Sequence, residues 1–417
     1  MTFQSTRVFL VDNMNCLVSK FKPVIPSKWH HLTLLCPAQR SRSILVNSMI
    51  STWRSNSNSD WKKAVSEAEK VVGYPTSFLS LRYLLSDELS NVALQMRKLV
   101  GTRHPLLKTA KGLLHDSKQN LQTCGLIILL IAKAAGSCPN STLDDTRVGG
   151  IYPNQRCLAE LTEMIHTATL IHKGVLNLKT VDKSEKRNLD FGNKMAILSG
   201  DFLLASACSA LAKLNNTKVV EIISESIKKI MESQFTSFID SDGNGLLKET
   251  ITFSDWRNQA YLSYGNLLGY SCQAVTLLAG HGITVQENAY KFGINLAFAH
   301  QLNLDMQPFI DSSEVSSTQI SATAAPVVNL IERNGSTLMN HLHSAFEVPT
   351  DNAKHSNPIG SDVMIQKVLD LIDDRILAGC KEQSREFKQK ALEALDIFEA
   401  SEAKSALKNI LLAVSKF

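Results

Sequence analysis

Leu158-Ala-Glu-Leu-Thr-Glu-Met-Ile-His-Thr-Ala-Thr-Leu-Ile-His-Lys-Gly-Val-Leu-Asn177 is the stretch on which the fold class turns. Leu158, Leu161, Ile165, Ala168, His172 and Val175 recur three or four residues apart. Side chains spaced in this way share one face of an α-helix, because the helix repeats every 3.6 residues. From Asp60 onward the apolar residues keep this spacing, and no segment alternates apolar and polar residues between turn signals as a strand would. The class this predicts is all-α.

Working outward, the spacing predicts a second helix from about Lys194 to Leu214, stopped at Asn215–Asn216, and a third reaching about Phe235. Residues 256 to 279 form another, ended by Gly280 and Gly282 as a C-terminal glycine stop. The next opens on Thr284-Val-Gln-Glu287, a hydroxyl and a carboxylate placed to satisfy first-turn N–H groups, and runs to about Asn303. Segments 137–157, 236–255, 308–326 and 333–360 are rich in Ser, Asn, Asp, Gly or Pro and predict loops. Long helices joined in this way make a large single-domain bundle around one core, here over residues 60–417.

Hydrophobic residues at 44% and charged residues at 20% exclude disordered and fibrous chains. The longest apolar run, Leu126 to Ala135 with its flanks, is too short for a membrane span and reads as a core helix. Residues 1–59 carry Arg7, Lys20, Lys22, Lys28, Arg40, Arg42 and Arg54 against Asp12 alone. That is +6 of a total of +5, so the rest sums to −1 and offers nothing to nucleic acid. An acid-poor, Ser-rich, basic leader has the composition of a mitochondrial transit peptide. Cysteines 16, 36, 124, 138, 157, 208, 272 and 380 contain no C-x-x-C spacing and suggest reduced thiols rather than a disulfide or zinc framework.

Five segments, in order, carry a resemblance to a known family: Val100-Gly-Thr-Arg-His-Pro105, Glu163 to His172, Phe191-Gly-Asn-Lys-Met-Ala-Ile-Leu-Ser-Gly-Asp-Phe-Leu-Leu-Ala205, Ser271-Cys-Gln-Ala274 and Ala297-Phe-Ala-His-Gln-Leu302. With Asp60 to Lys98 and Ser401 to Leu407 they cover nearly all of the chain after the leader, which resembles the trans-polyprenyl diphosphate synthases. Gly73-Tyr-Pro-Thr-Ser77 and Leu84-Leu-Ser-Asp-Glu-Leu-Ser-Asn91 are similar to a second, non-catalytic subunit of that family rather than to its catalytic partner.

The departures weigh as much as the match. Active members carry D-D-x-x-D at the end of the first helix, where two aspartates grip the magnesium ions that bind the substrate diphosphate. The corresponding positions here are Lys173, Gly174 and Asn177. The second aspartate cluster falls on Leu304, Asp305 and Pro308, where one carboxylate survives. The family reaction ionises an allylic diphosphate and needs metal ions held between the two clusters. The upstream basic motif retains Arg103, a residual diphosphate contact. The lysine–threonine pair expected at Ser263-Tyr-Gly-Asn266 is absent, and the lysine expected before Thr323 and Pro326 is Ala322.

Other patterns have ordinary readings. Asp240-Ser-Asp-Gly-Asn-Gly245 imitates half of a calcium loop, but Ile251 stands where a bidentate Glu is needed. Asp370-Leu-Ile-Asp-Asp374 reads as a solvated helix face. His166 and His172 are six apart and read as core or interface histidines, and His341 and His343 as exposed.

The resemblance implies a non-catalytic subunit that pairs with a catalytic homologue, itself holding Mg2+, to make the polyprenyl side chain of ubiquinone in the mitochondrial matrix. No metal, cofactor or nucleic acid is expected on this chain and no transmembrane segment in it. Two alternatives stand beside it: a divergent active prenyltransferase in which Lys173 replaces a magnesium ion, and a module that binds prenyl diphosphates or lipid without turnover.

Overall fold

The structure is a computed structural model that describes residues 59–73, 123–138, 147–178, 183–236, 251–310, 321, 323–334 and 370–414. These all lie within one compact unit, Ala38–Phe417. The leader up to residue 58, Arg103 with its motif, Leu84 to Asn91, Asp240 to Gly245, and His341 to His343 lie outside the described residues.

The described elements are α1 (Ser59–Val72), α2 (Thr123–Ala135), α3 (Pro153–Lys173), α4 (Lys183–Lys213), α5 (Thr217–Glu232), α6 (Phe253–Ala260), α7 (Asn266–Leu278), α8 (Ile283–Ile310), α9 (Ala325–Asn334), α10 (Asp374–Leu395) and α11 (Glu402–Val414). A 3-10 turn (Ser233–Phe235) extends α5, and a π-helical turn (Tyr261–Gly265) joins α6 to α7. Among the described residues the β contribution is one isolated bridge, Val148 to Ile151.

Helix α2, apolar on every side, is buried from Thr123 to Ala132 and packs against α1, α3, α7 and α11. A helix with no polar face belongs in the middle of a core. Around it α3 packs along α4, and α8 packs along α7 and α10. The α7–α8 crossing is close because Gly269 and Gly293 face each other; a Cβ on Gly293 would lie 2.8 Å from the Leu268 carbonyl oxygen.

Turn chemistry sets the boundaries. Asn215 adopts φ of 50°, and the Asn216 side chain accepts the Val219 N–H to open α5. Thr252 and Asp255 form a reciprocal cap at the start of α6. Helix α7 ends at Leu278, and Gly280 follows with φ of 80°. Asp373 caps α10 by accepting from the Arg375 and Ile376 N–H groups, so the Asp370–Asp374 acids include a helix cap as well as a solvated face.

Three expected boundaries move. Helix α4 begins at Lys183, well before Lys194. Helix α8 begins at Ile283, which puts Thr284 inside the first turn, and continues through Pro308 to Ile310. Helix α3 ends at Lys173, leaving Val175 40% exposed beyond it. The helix Glu185–Lys213 is long and apolar enough to cross a membrane by length and composition alone, a test that core helices also pass.

Candidate functional site

The positions at which the resemblance expects aspartate clusters lie at the ends of α3 and α8. Lys173 is the last residue of α3, and Gly174 follows as its cap, its N–H donating to the Ile171 carbonyl at 3.0 Å. Asn177 lies in the non-helical segment beyond. Asn193 of α4 clamps that segment: it accepts the Leu176 N–H at 2.7 Å and donates to the Leu176 carbonyl at 2.6 Å. The first and third motif positions therefore do not share a helix face.

Lys173 is half-buried, and desolvation pushes its ammonium down to about 8. Its charge is felt further along α3 by His166, which burial, Lys173 and His300 together hold down to about 3. His300 of α8 is itself lowered to about 4 by burial. Both imidazoles are therefore neutral at physiological pH. His172 turns the other way, packing on Gly200 of α4 and pairing at 3.2 Å with Asp201.

On α8, Leu304 is buried and Pro308 lies in the last turn. Asp305 is held by three donors. Trp256 Nε1–H of α6 donates to Oδ2 at 2.7 Å, the Ala325 N–H donates to the same oxygen at 2.9 Å, and Gln301 Nε2 donates to Oδ1 at 2.8 Å. Burial nevertheless raises its carboxyl to about 6. Ala325 opens α9, so Asp305 caps that helix from a neighbouring one. Helix α9 starts at Ala325, which places Pro326 in its first turn, and Ala322 lies outside the described residues.

The π-helical turn Tyr261–Gly265 falls where the lysine–threonine pair was expected. A π turn leaves carbonyls out of register, and Asn266 Nδ2 satisfies two of them, donating to Tyr261 at 2.9 Å and Leu262 at 2.7 Å. Tyr264 packs against His166 with the rings tilted by 59° and their centroids 5.2 Å apart, and its hydroxyl lies 3.1 Å from the Cys124 thiol.

Glu163 of α3 completes this interior. Its Oε1 accepts the Gly125 N–H at 2.7 Å in the first turn of α2, while Oε2 is buried without a hydrogen-bond partner. Burial raises the carboxyl to about 8, so it is largely protonated at neutral pH. Thr162 and Ser271 join hydroxyls at 3.0 Å alongside. Sequence reasoning missed Glu163, Trp256 and Tyr264 as members of this region; the visible signal was an acid inside an apolar helix.

The donor set does not fit a magnesium cluster. Asp305 already accepts three hydrogen bonds, and the opposing motif offers a cation, a glycine and an off-helix amide. Among the described residues no group of three or more His, Cys, Asp or Glu side chains could hold a metal ion.

The polyprenyl synthetase profile matches residues 122–325. The human all trans-polyprenyl-diphosphate synthase PDSS2 is 45% identical over 390 residues, covering 90% of this chain and 94% of that protein. A probable hexaprenyl pyrophosphate synthase, mitochondrial, from Yarrowia lipolytica is 28% identical, covering 85% of this chain and 88% of its own. In three dimensions the chain is similar to a polyprenyl synthase from Caulobacter crescentus crystallised with calcium and isoprenyl diphosphate. That likeness has a TM-score of 0.55 at 20% identity and covers 82% of this chain and 98% of the other. A decaprenyl diphosphate synthase from Rhodobacter capsulatus gives 0.55 at 16%, covering 82% and 99%.

Proposed function

Because the chain belongs to the polyprenyl synthetase family, we propose that it is a non-catalytic subunit of a heteromeric all-trans-polyprenyl-diphosphate synthase, paired with a catalytic homologue that carries the Mg2+ site. The observation that supports this most directly is Asp305. The one carboxylate left in the second motif caps α9 and holds the Trp256 indole, while Lys173 stands at the first motif.

Catalysis by the family chemistry needs metal charge on the departing pyrophosphate. Lys173 places one cation at the end of α3, but nothing on α8 gathers the several charges that a diphosphate leaving group requires. What the chain keeps is the α3–α4 and α7–α8–α10 packing, which is what a structural partner must retain. Relatives named as mitochondrial hexaprenyl and solanesyl diphosphate synthases support isoprenoid biosynthesis in that organelle, and the ubiquinone side chain is the product this reading assigns. The basic leader within residues 1–59 is then the address to the matrix.

The test is co-expression with a catalytic homologue, followed by assay of each chain alone and together with farnesyl diphosphate, isopentenyl diphosphate and magnesium. Activity is expected only with both chains present, and the two should co-purify. Magnesium-dependent turnover by this chain alone would overturn the reading. N-terminal sequencing of the mature protein should find a start near residue 50; an intact Met1 would remove the leader from the account.

A further inference from the structure

The start of α2 is held by two side chains from other elements, and one of them can lose a proton. Cys124 and Gly125 lie in its first turn, where backbone N–H groups have no partner inside the helix. Glu163 of α3 accepts the Gly125 N–H through Oε1 at 2.7 Å, and Tyr264 of the π turn sets its hydroxyl 3.1 Å from the Cys124 thiol. Thr123, Cys124 and Glu163 are all buried, so water does not reach these contacts.

The acid has one oxygen left over, because Oε2 is buried without a hydrogen-bond partner. Protonated, it is a donor with no acceptor; ionised, it is a carboxylate whose second oxygen nothing holds. Both forms gain from water once the first turn of α2 lifts, but the ionised form gains far more. We propose that Glu163 and the first turn of α2 form a proton-operated latch: the turn stays seated while the carboxyl is neutral, and loss of the proton lifts it and bares the Cys124 thiol. The latch does not depend on the heteromeric reading.

The sign follows from linkage. With the latch closed, burial holds the carboxyl at about 8, against an ordinary value of 4.5 in water. Opening therefore releases a proton at any pH between these values, so the open population rises roughly tenfold per pH unit there and levels off above 8.

The neighbouring groups leave a clear window. His166 of α3 and His300 of α8, lowered to about 3 and about 4 from 6.5, oppose opening only towards acid pH, where water would protonate them. Lys173, further along α3, is lowered to about 8 from 10.5 and acts only above 8. Cys124 on α2, Cys272 on α7 and Tyr264 are all pushed up by burial and keep their protons. Glu160, a turn earlier on α3, lies beside Cys157. Between 6.5 and 8 the proton released on opening is that of Glu163.

Hydrogen exchange of the full chain, read by mass spectrometry across one pH unit in that window, tests the latch. Exchange through a local opening is itself catalysed by hydroxide and speeds up roughly tenfold per unit. Amides at the start of α2 should speed up roughly a hundredfold, because the opening adds its own factor, and amides in α10 only tenfold. In Glu163→Gln the α2 amides should return to tenfold. Alkylation of Cys124 by uncharged iodoacetamide should show the same extra factor in the native chain and lose it in the variant. Comparing α2 with α10 in one native sample needs no variant, which covers a failure of Glu163→Gln to fold.

A tenfold slope at the start of the native α2 overturns the proposal. So does the extra factor appearing equally in α10, which would assign the proton to unfolding of the whole chain, or its survival in Glu163→Gln.

Discussion

Asp305 accepts the backbone N–H of Ala325 at 2.9 Å, and that bond pins the first turn of α9 to α8. Glu163 does the same for α2 through the Gly125 N–H. Both carboxylates thus serve as acceptors for first-turn N–H groups of neighbouring helices. Asp305→Asn keeps the shape but leaves one donor facing an amide NH2. It should destabilise the chain by about 1–3 kcal/mol, the penalty of an unsatisfied buried donor, read as a lower denaturant midpoint at unchanged slope. No loss would mean that the three donors find other partners.

The Glu163 carboxyl, raised to about 8, makes a pH prediction. An acid whose folded pKa lies above its unfolded value stabilises the fold in its protonated form, fully below about 4.5, and loses that contribution as pH rises through 8. Lys173, lowered to about 8, works in the opposite sense, because its cost falls as it deprotonates. The whole-protein profile therefore mixes two opposed slopes. Comparison with Glu163→Gln, which mimics the neutral acid, isolates the first. Relative to the glutamine variant, the native chain should lose about 1.4 kcal/mol between pH 7 and pH 9. A constant difference across that range would place the titration elsewhere.

Two glycines predict a ranking. A Cβ at Gly200 would lie 2.2 Å from His172 Nε2, yet that ring is a side-chain end with Asp201 and solvent beside it and can swing away. A Cβ at Gly293 would meet the Leu268 carbonyl oxygen at 2.8 Å and the Gly269 Cα at 2.9 Å, backbone that moves only if α7 and α8 separate. Gly293→Ala should therefore lower the melting temperature more than Gly200→Ala, with overpacking costs of roughly 1–3 kcal/mol setting the scale. Thermal denaturation of the two variants side by side decides it.

The all-α class and the order of helices were legible because burial follows period: Leu158, Leu161, Ile165 and Ala168 are each 1% exposed or less. The same pattern overran the helix end at Val175, since periodicity cannot report that Gly174 stops α3. Residues 263–266 were recognised as lacking the diphosphate pair, but a π turn has no signature that a 3.6-residue period can detect. Asp305 was legible as a survivor and not as a cap. Its partners Trp256 and Ala325 are 49 and 20 residues away in sequence, and only the packing of α6, α8 and α9 brings them together.

Placing aspartates at the expected motif positions tests the reading of an inactive chain. Lys173→Asp, Gly174→Asp and Asn177→Asp together should leave the isolated chain without turnover. The third carboxylate would sit beyond the helix, in a segment whose backbone Asn193 holds on both sides of Leu176, so it would not join the first on one face. The opposing wall would still present Asp305 with its oxygens engaged by Trp256, Gln301 and Ala325. New negative charge at the C-terminal end of α3 also opposes the helix dipole, and Gly174 is buried, so stability should fall as well. Binding to the catalytic homologue should persist if it uses surfaces away from the ends of α3 and α8. Turnover and co-purification are therefore measured on the same preparation. Magnesium-dependent product from the triple variant alone would mean that Asp305 can leave its three donors to bind metal, and the account of a site converted into structure would be wrong.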